Sequence, residues 1–390
     1  MSFTNLREVA IKYDDDAVQN MLFLLKHSPL PSQAPVQSAS PWSLGIDHDY
    51  LVSLRERFQK EWKWDRVEKE INQTPNFLVD YAAGDDTLEL HFLHKRSNRA
   101  DAIPLILLHG WPGTFFDFRK VIESLTNPPT PDIPAFHVVV PSLPGYFKST
   151  LPRRDGWNMA DTATVFNRLM VDLLGYKTYA GHGGDWGSMI MRVMSNLFPD
   201  TMTVVHFSMF RVPIPENLDR SKLTEVEKIV VERGSEFART GFAYFQIQNT
   251  KPFTIGFAIG SSPLALLAYI GEKIYGWSDP ERVDPDDILD TVALYWLSSS
   301  FSTSVVIYNQ SGKERAETNL AASEGKWLVK SKSFGYSSFA YEIGGSPRAA
   351  IEPYGNLTYY KEHRRGGHFP ALDNPSELVG DLREFCGVHF

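Results

Sequence analysis

Gly183-Gly184-Asp185-Trp186-Gly187-Ser188 constrains the fold of this chain more than any other stretch. A glycine two residues before and two residues after a central polar residue is the spacing of a sharp strand-to-helix turn. The central residue there is held in a strained backbone conformation, and its neighbours must be small so that strand and helix can approach. Tyr179-Ala180-Gly181-His182 reads as the strand end, and Met189 to Leu197 as the helix. The positive end of that helix favours an ionised Asp185. A turn of this kind belongs to a parallel α/β sheet, with the central residue raised above the strand ends.

The central residue in such turns is usually a serine; here it is a carboxylate. A carboxylate nucleophile suits attack on a saturated carbon, because the product is an ester that activated water can reopen at its carbonyl. A serine would leave an inert ether. Asp185 therefore points to epoxide opening or carbon–halogen cleavage and away from ordinary esterase or peptidase chemistry.

The rest of the sequence supports a large α/β protein. Its 390 residues are 43% hydrophobic and 13% aromatic, enough for an extensive core and two or three structural units. The net charge of −8, with no basic run, argues against nucleic acid as a partner. A single cysteine, Cys386, excludes an intrachain disulfide framework and a thiolate metal site, and fits a reducing compartment. The first residues lack the pattern of a targeting signal, and the apolar run Pro263 to Ile270 is cut off by Glu272 and Lys273, as in a buried helix. A soluble, cytoplasmic protein without a membrane span is expected.

Four segments follow from the patterning. Residues 1–75 form an irregular leader with a helix near Asp14 to Lys26, a Pro/Ser-rich stretch from Pro29 to Pro41 and a helix near Asp47 to Glu70. Residues 76–210 open with a hairpin split at Gly84-Asp85-Asp86. They continue with strands at Ile103–Leu108, Phe136–Val140, Tyr179–His182 and Thr203–Phe207, alternating with helices. Residues 211–325 turn to helices rich in charged and aromatic residues, as in an inserted lid. Residues 326–390 restore the α/β rhythm with strands near Phe334–Tyr341 and Gly355–Tyr360 and a capped helix from Pro375.

Reopening an ester requires a base, which α/β-hydrolases carry on a loop before the last helix. His368, in Gly366-Gly367-His368-Phe369-Pro370, stands there, ahead of His363 and His389. The carboxylate that orients it should follow the penultimate strand, so Glu342 comes first, Glu352 second and Glu216 third. His109-Gly110-Trp111-Pro112-Gly113 follows a core strand, where the backbone N–H of Trp111, with that of Trp186, forms an oxyanion hole. His109 is expected to stabilise its turn, and Trp111-Pro112 fits a cis bond.

These three motifs, together with Tyr244-Phe-Gln-Ile-Gln-Asn-Thr-Lys-Pro252 and Ser261-Ser-Pro-Leu-Ala-Leu-Leu-Ala-Tyr269, resemble the microsomal-type epoxide hydrolases, in particular their soluble fungal members, over nearly the whole length. The resemblance implies an α/β-hydrolase core with a mostly parallel sheet, an inserted helical lid and an N-terminal meander. It implies that Tyr244 and Tyr308 donate hydrogen bonds to the epoxide oxygen, Tyr341 and Tyr269 being the neighbours that could replace Tyr308. A neutral phenol is a suitable donor at pH 7. Glu342 matches the family's acid. Animal members carry an N-terminal membrane anchor that this sequence does not show. The leader corresponds to a meander around core and lid, structural in role, with a homodimer contact left open.

The expected substrate is a small-molecule epoxide, aryl or alkyl, opened with water to a vicinal diol, and no metal or organic cofactor is required. A haloalkane dehalogenase-like hydrolase is the near alternative, with the Trp186 indole as a halide donor; paired lid tyrosines argue against it. A non-catalytic ligand-binding relative is the alternative from another class, and intact Asp185, His368 and elbow glycines argue against that.

Overall fold

A computed structural model describes residues 2–36, 40–312, 314 and 328–390. Nine strands form one sheet in the order β1-β2-β3-β5-β4-β6-β7-β8-β9. They span Ser2–Val9 (β1), Asn76–Ala83 (β2), Asp86–Lys95 (β3), Ile103–Leu108 (β4), Phe136–Pro141 (β5), Tyr179–Gly183 (β6), Met202–Phe207 (β7), Val329–Tyr341 (β8) and Gly355–Gly367 (β9). The pairs β1/β2, β2/β3 and β3/β5 are antiparallel, and every pair from β5 through β4 to β9 is parallel. The central strands read as apolar runs because both their faces are covered: Leu105, Ile106, Leu107 and Leu108 are all fully buried.

The first strand departs from the sequence reading, which placed an irregular leader there. Its apolar residues Phe3, Leu6 and Val9 recur every three positions, which hides the two-residue alternation of a strand. The structure supplies the reason: the register against β2 shifts between Thr4 and Arg7, and Asn5 sits at φ 55°, so a bulge resets the alternation. The helix expected near Asp47 to Glu70 is also two helices, His48–Lys60 and Trp64–Ile71, separated by Glu61-Trp62-Lys63. Trp62 turns inward at this break and donates its indole N–H to Asp290 at 2.8 Å. A side chain's tertiary partner, absent from local propensity, ends the first helix.

Between β7 and β8 the chain leaves the sheet and forms the helices Glu225–Glu236, Ala243–Thr250, Pro252–Gly260, Pro263–Trp277 and Pro285–Leu297, followed by the short Phe301–Ser304 and Val306–Gln310. The boundary expected at residue 325 lies outside the described residues. Pro263–Trp277 buries Leu264, Leu266, Leu267, Ile270 and Ile274, which accounts for its apolar run as core. Among the described residues no single helix is long and apolar enough to cross a membrane. The leader packs against this helical layer. Trp42 stacks on Tyr275 at 4.0 Å, and Arg57 pairs with Asp286 at 2.7 Å.

Parallel strands on either side of β4 run to the same edge, while the connections diverge towards β5 on one side and β6 on the other. Loops at the carboxyl ends of such strands enclose a crevice at the switch point. The loops after β4, β6, β7, β8 and β9 all open there.

Candidate active site

The turn after β6 is as sharp as its sequence requires. Asp185 stands at φ 46°, a left-handed conformation that is strained for a residue with a side chain. A Cβ on Gly187 would lie 2.2 Å from the Leu108 carbonyl oxygen, and one on Gly110 would lie 2.0 Å from Asp185 Oδ1. Strand β4 and the helix Asp185–Leu197 therefore meet only because these two positions are glycine. The approach places the β4 loop against the carboxylate: the Trp111 N–H donates to Asp185 Oδ1 at 2.8 Å. No such bond joins the Trp186 N–H to that carboxylate among the described residues.

His368 comes from the loop after β9. Its Nε2 lies 3.2 Å from Asp185 Oδ2, and its Nδ1 lies 2.9 and 3.0 Å from the two oxygens of Glu342, one residue past β8. Glu342 is completely buried and accepts a second hydrogen bond from the Gly344 N–H at 2.6 Å. Burial opposes a charge on His368, but the carboxylates of Glu342 and Asp185 outweigh it and hold the imidazole up at about 10. The resting site is thus an Asp–imidazolium–Glu array.

Tyr244 and Tyr308 close the site from the helical layer. Tyr244 stacks on Trp111 at 5.2 Å, and Tyr308 meets Trp186 edge-on at 4.9 Å, with 6.0 Å between the two tyrosine rings. Burial, with Asp185 nearby, pushes both phenols far above their ordinary range, so both are neutral donors. The Tyr308 hydroxyl is buried without a well-formed hydrogen bond among the described residues. Asp185, Trp186, Tyr244, Tyr308 and His368 line one narrow cavity of about 50 Å³, with Met189, Phe237 and Phe242 as apolar walls. On the far side of Asp185 and His368 a second cavity of about 30 Å³ reaches Asp117, His182 and Ser208.

The alternatives lie elsewhere. His363 is bound to Asp381 at 2.6 Å behind the sheet, and His389 packs on Phe385. Glu352 pairs with Arg348, and Glu216 is exposed. Tyr269 touches Trp111, yet its hydroxyl is engaged with Gln248 at 3.2 Å. Tyr341 packs outside the cavity, under Arg233. His109 ties its turn together, as expected: its Nε2 accepts from the Leu143 N–H at 3.1 Å, which leaves Nδ1–H to donate to the Gly110 carbonyl at 3.0 Å. Burial lowers its pKa to about 4, keeping it neutral. The Trp111-Pro112 bond is cis.

The sequence did not disclose a latch behind His368. The His368 N–H donates to the Trp277 carbonyl at 2.9 Å, at the end of the helix Pro263–Trp277. Asp279, two residues on, accepts the Gly366 N–H at 3.1 Å and pairs with Arg365 at 2.8 Å. Asp373 accepts from the N–H groups of both Gly367 and Asp279, at 2.9 and 3.0 Å. The sequence reading takes Asn374-Pro375 as the start of the last helix and makes nothing of Asp279 or Asp373, and nothing local points to a shared structure.

Known proteins carry the same plan. Residues 6–118 match the family model for the epoxide hydrolase N terminus, and residues 103–264 match that for the alpha/beta hydrolase fold. A relative from Stigmatella aurantiaca (strain DW4/3-1), provisionally named an epoxide hydrolase, is 35% identical over 357 residues, covering 89% of this chain and 78% of the relative. Epoxide hydrolase 1 of Oryctolagus cuniculus is 30% identical over 389 residues, covering 91% and 83%. The solved structure of Aspergillus niger epoxide hydrolase superposes with a TM-score of 0.87 at 33% identity, over 99% of this chain and 97% of that one. The leader is thus matched together with the core, at about one-third identity and nearly full length. The chain belongs to the epoxide hydrolase family.

Proposed function

We propose that this protein opens epoxides to vicinal diols through a covalent ester of Asp185, which water activated by His368 then cleaves. The observation that carries the reading is the His368 imidazole, held between Glu342 and Asp185 in a cavity roofed by two neutral phenols.

Asp185 Oδ2 attacks one oxirane carbon, the C–O bond breaks, and the departing oxygen takes a proton from Tyr244 or Tyr308. The imidazolium returns a proton to that tyrosine. Ester formation removes the Asp185 charge, one of the two that hold His368 protonated, so the imidazole becomes a base only once there is an ester to hydrolyse. Water then attacks the Asp185 carbonyl carbon and passes a proton to His368. The oxyanion forms on Oδ1, where Trp111 N–H already donates, and Trp186 N–H is the second donor. The hydroxyl proton of the tetrahedral intermediate leaves with the diol oxygen, and the carboxylate and imidazolium are restored.

Turnover of a terminal aryl epoxide in oxygen-18 water tests this. In a single turnover the diol should carry ordinary oxygen, with the label appearing in Asp185. Label in the first diol would mean direct attack by water, and D185N should form no diol at all.

A further inference from the structure

The cavity in front of Asp185 contains a cation for which the proposed reaction has no use. Arg211 lies four residues beyond β7 and lines the cavity together with Asp185, Tyr244, Tyr308 and His368. Its guanidinium sits 5.3 Å from the centroid of the Phe242 ring, and among the described residues it makes no ion pair and no hydrogen bond. Neighbouring cations have partners on the protein. Arg233 donates to the Gly276 and Tyr341 carbonyls, and Lys273 pairs with Glu272 at 2.7 Å.

Burial disfavours the charge on Arg211, and the nearby Glu342 carboxylate acts in the opposite direction. A guanidinium nonetheless stays protonated in proteins and carries five N–H donors. Arg211 is half-buried and faces an apolar cavity without an acidic partner on the protein, and the group that best matches it is a carboxylate with its pair of oxygens. Asp185 is already engaged by Trp111 and His368, and Glu342 by His368 and Gly344. A ligand entering the cavity supplies the acceptor that the protein does not.

We infer that Arg211 is a substrate-binding residue and that this cavity takes epoxides bearing a carboxylate, which pairs with the guanidinium while the oxirane lies between Asp185 and the two tyrosines. The apolar walls Met189, Met209, Phe237 and Phe242 suit the carbon spacer between the two groups. Arg211 also offsets the repulsion that a second carboxylate would meet beside Asp185. The inference rests on the epoxide-opening reaction proposed above.

The test compares terminal epoxides ending in a carboxylate, over a series of spacer lengths, with methyl-ended epoxides of equal length. At the best spacer the wild-type protein should favour the acid by about tenfold or more in kcat/KM. The preference should weaken with added salt. R211M should bring the ratio to about one or below, and R211K should retain part of it. Should R211M not fold, the wild type still decides, because a saturated carboxylate of the same spacer should compete with a methyl-ended epoxide. A ratio of one or less in the wild type at every spacer, an unchanged ratio in R211M, or no competition by the saturated acid overturns the assignment of Arg211. If the wild type opens the methyl-ended epoxides without favouring acids, only that assignment falls. If it opens neither series, the epoxide reading falls and takes this inference with it.

Discussion

His368 is the residue on which the two halves of the proposed reaction turn. Replacing it by glutamine removes both the base and the imidazolium that restores the tyrosine, while a neutral tyrosine still supplies the first proton, so H368Q should accumulate, at a reduced rate, protein heavier by one substrate. Multiple turnover should drop by about 10²–10⁴, the usual contribution of a positioned base. Intact-mass spectrometry after brief mixing checks this, and unmodified protein would contradict it. The raised pKa also fixes the sign of a pH effect. If the imidazolium supplies the proton that restores the tyrosine, kcat/KM should fall as pH rises through about 10, where the free protein loses it. E342Q removes the negative charge that does most to keep the imidazole protonated, so the falling limb should move to lower pH, as a rate profile from pH 7 to 11 would show. Asp185 and His368 could be proposed from the sequence because each stands in a distinctive local string, whereas Tyr244 and Tyr308 came from the family resemblance and Glu342 from its place after a strand. Arg211 could not be, since nothing in Phe210-Arg211-Val212 says that its charge would lack a partner.

At the scale of elements, the latch joining the end of the helix Pro263–Trp277 to the loop after β9 should matter most. Both oxygens of Asp279 accept hydrogen bonds, from Glu281 N–H and Arg365 on one side and from Gly366 N–H on the other. D279N loses an acceptor and leaves a buried donor unpaired, a change worth about 1–3 kcal/mol of stability. It should also lower kcat by loosening His368, measurable beside a urea titration; unchanged kcat with lowered stability would make the latch purely structural. Asp373 gives a cleaner pH signature. Burial raises its carboxyl to about 7, against an ordinary value of 3.8. Its contribution to stability is complete below the unfolded value and is lost as pH rises through 7, because the charge then forms in a buried site. D373N has no such charge, so its stability relative to wild type should improve between pH 5 and 8 in denaturant titrations. The latch was invisible in the sequence because Asp279 and Asp373 are far apart along the chain and neither stands in a motif that points to the other. The elements themselves were largely legible: the buried runs of β4 and β5, the hairpin and the start of the last helix at Pro375 are set by local patterns, although the expected side-chain cap is absent because Asn374 bonds Arg365 and Arg282 instead. The first strand was hidden by its bulge, and the helix break at Trp62 by a distant partner.

Across the whole molecule, the leader is bound to the helical layer through buried polar contacts as well as apolar packing. Asp290, fully buried, accepts from Trp62 and from Arg66. W62F keeps most of the apolar volume and removes one donor to a buried carboxylate. It should cost about 1–3 kcal/mol and lower Tm in a single cooperative transition. A separate early transition would mean that the leader unfolds independently of the helical layer. By itself the sequence determined the α/β plan, the turn that presents Asp185, and the order of carboxylate, acid and histidine along the chain, because glycine spacing, apolar periodicity and caps act within a few residues. The tertiary structure decided which acid meets His368, which tyrosines reach the cavity, how the latch holds the base loop, and that Arg211 faces the cavity unpaired. Those outcomes depend on distances between residues far apart in the chain, and such distances are set by packing across the whole sheet and the helices above it.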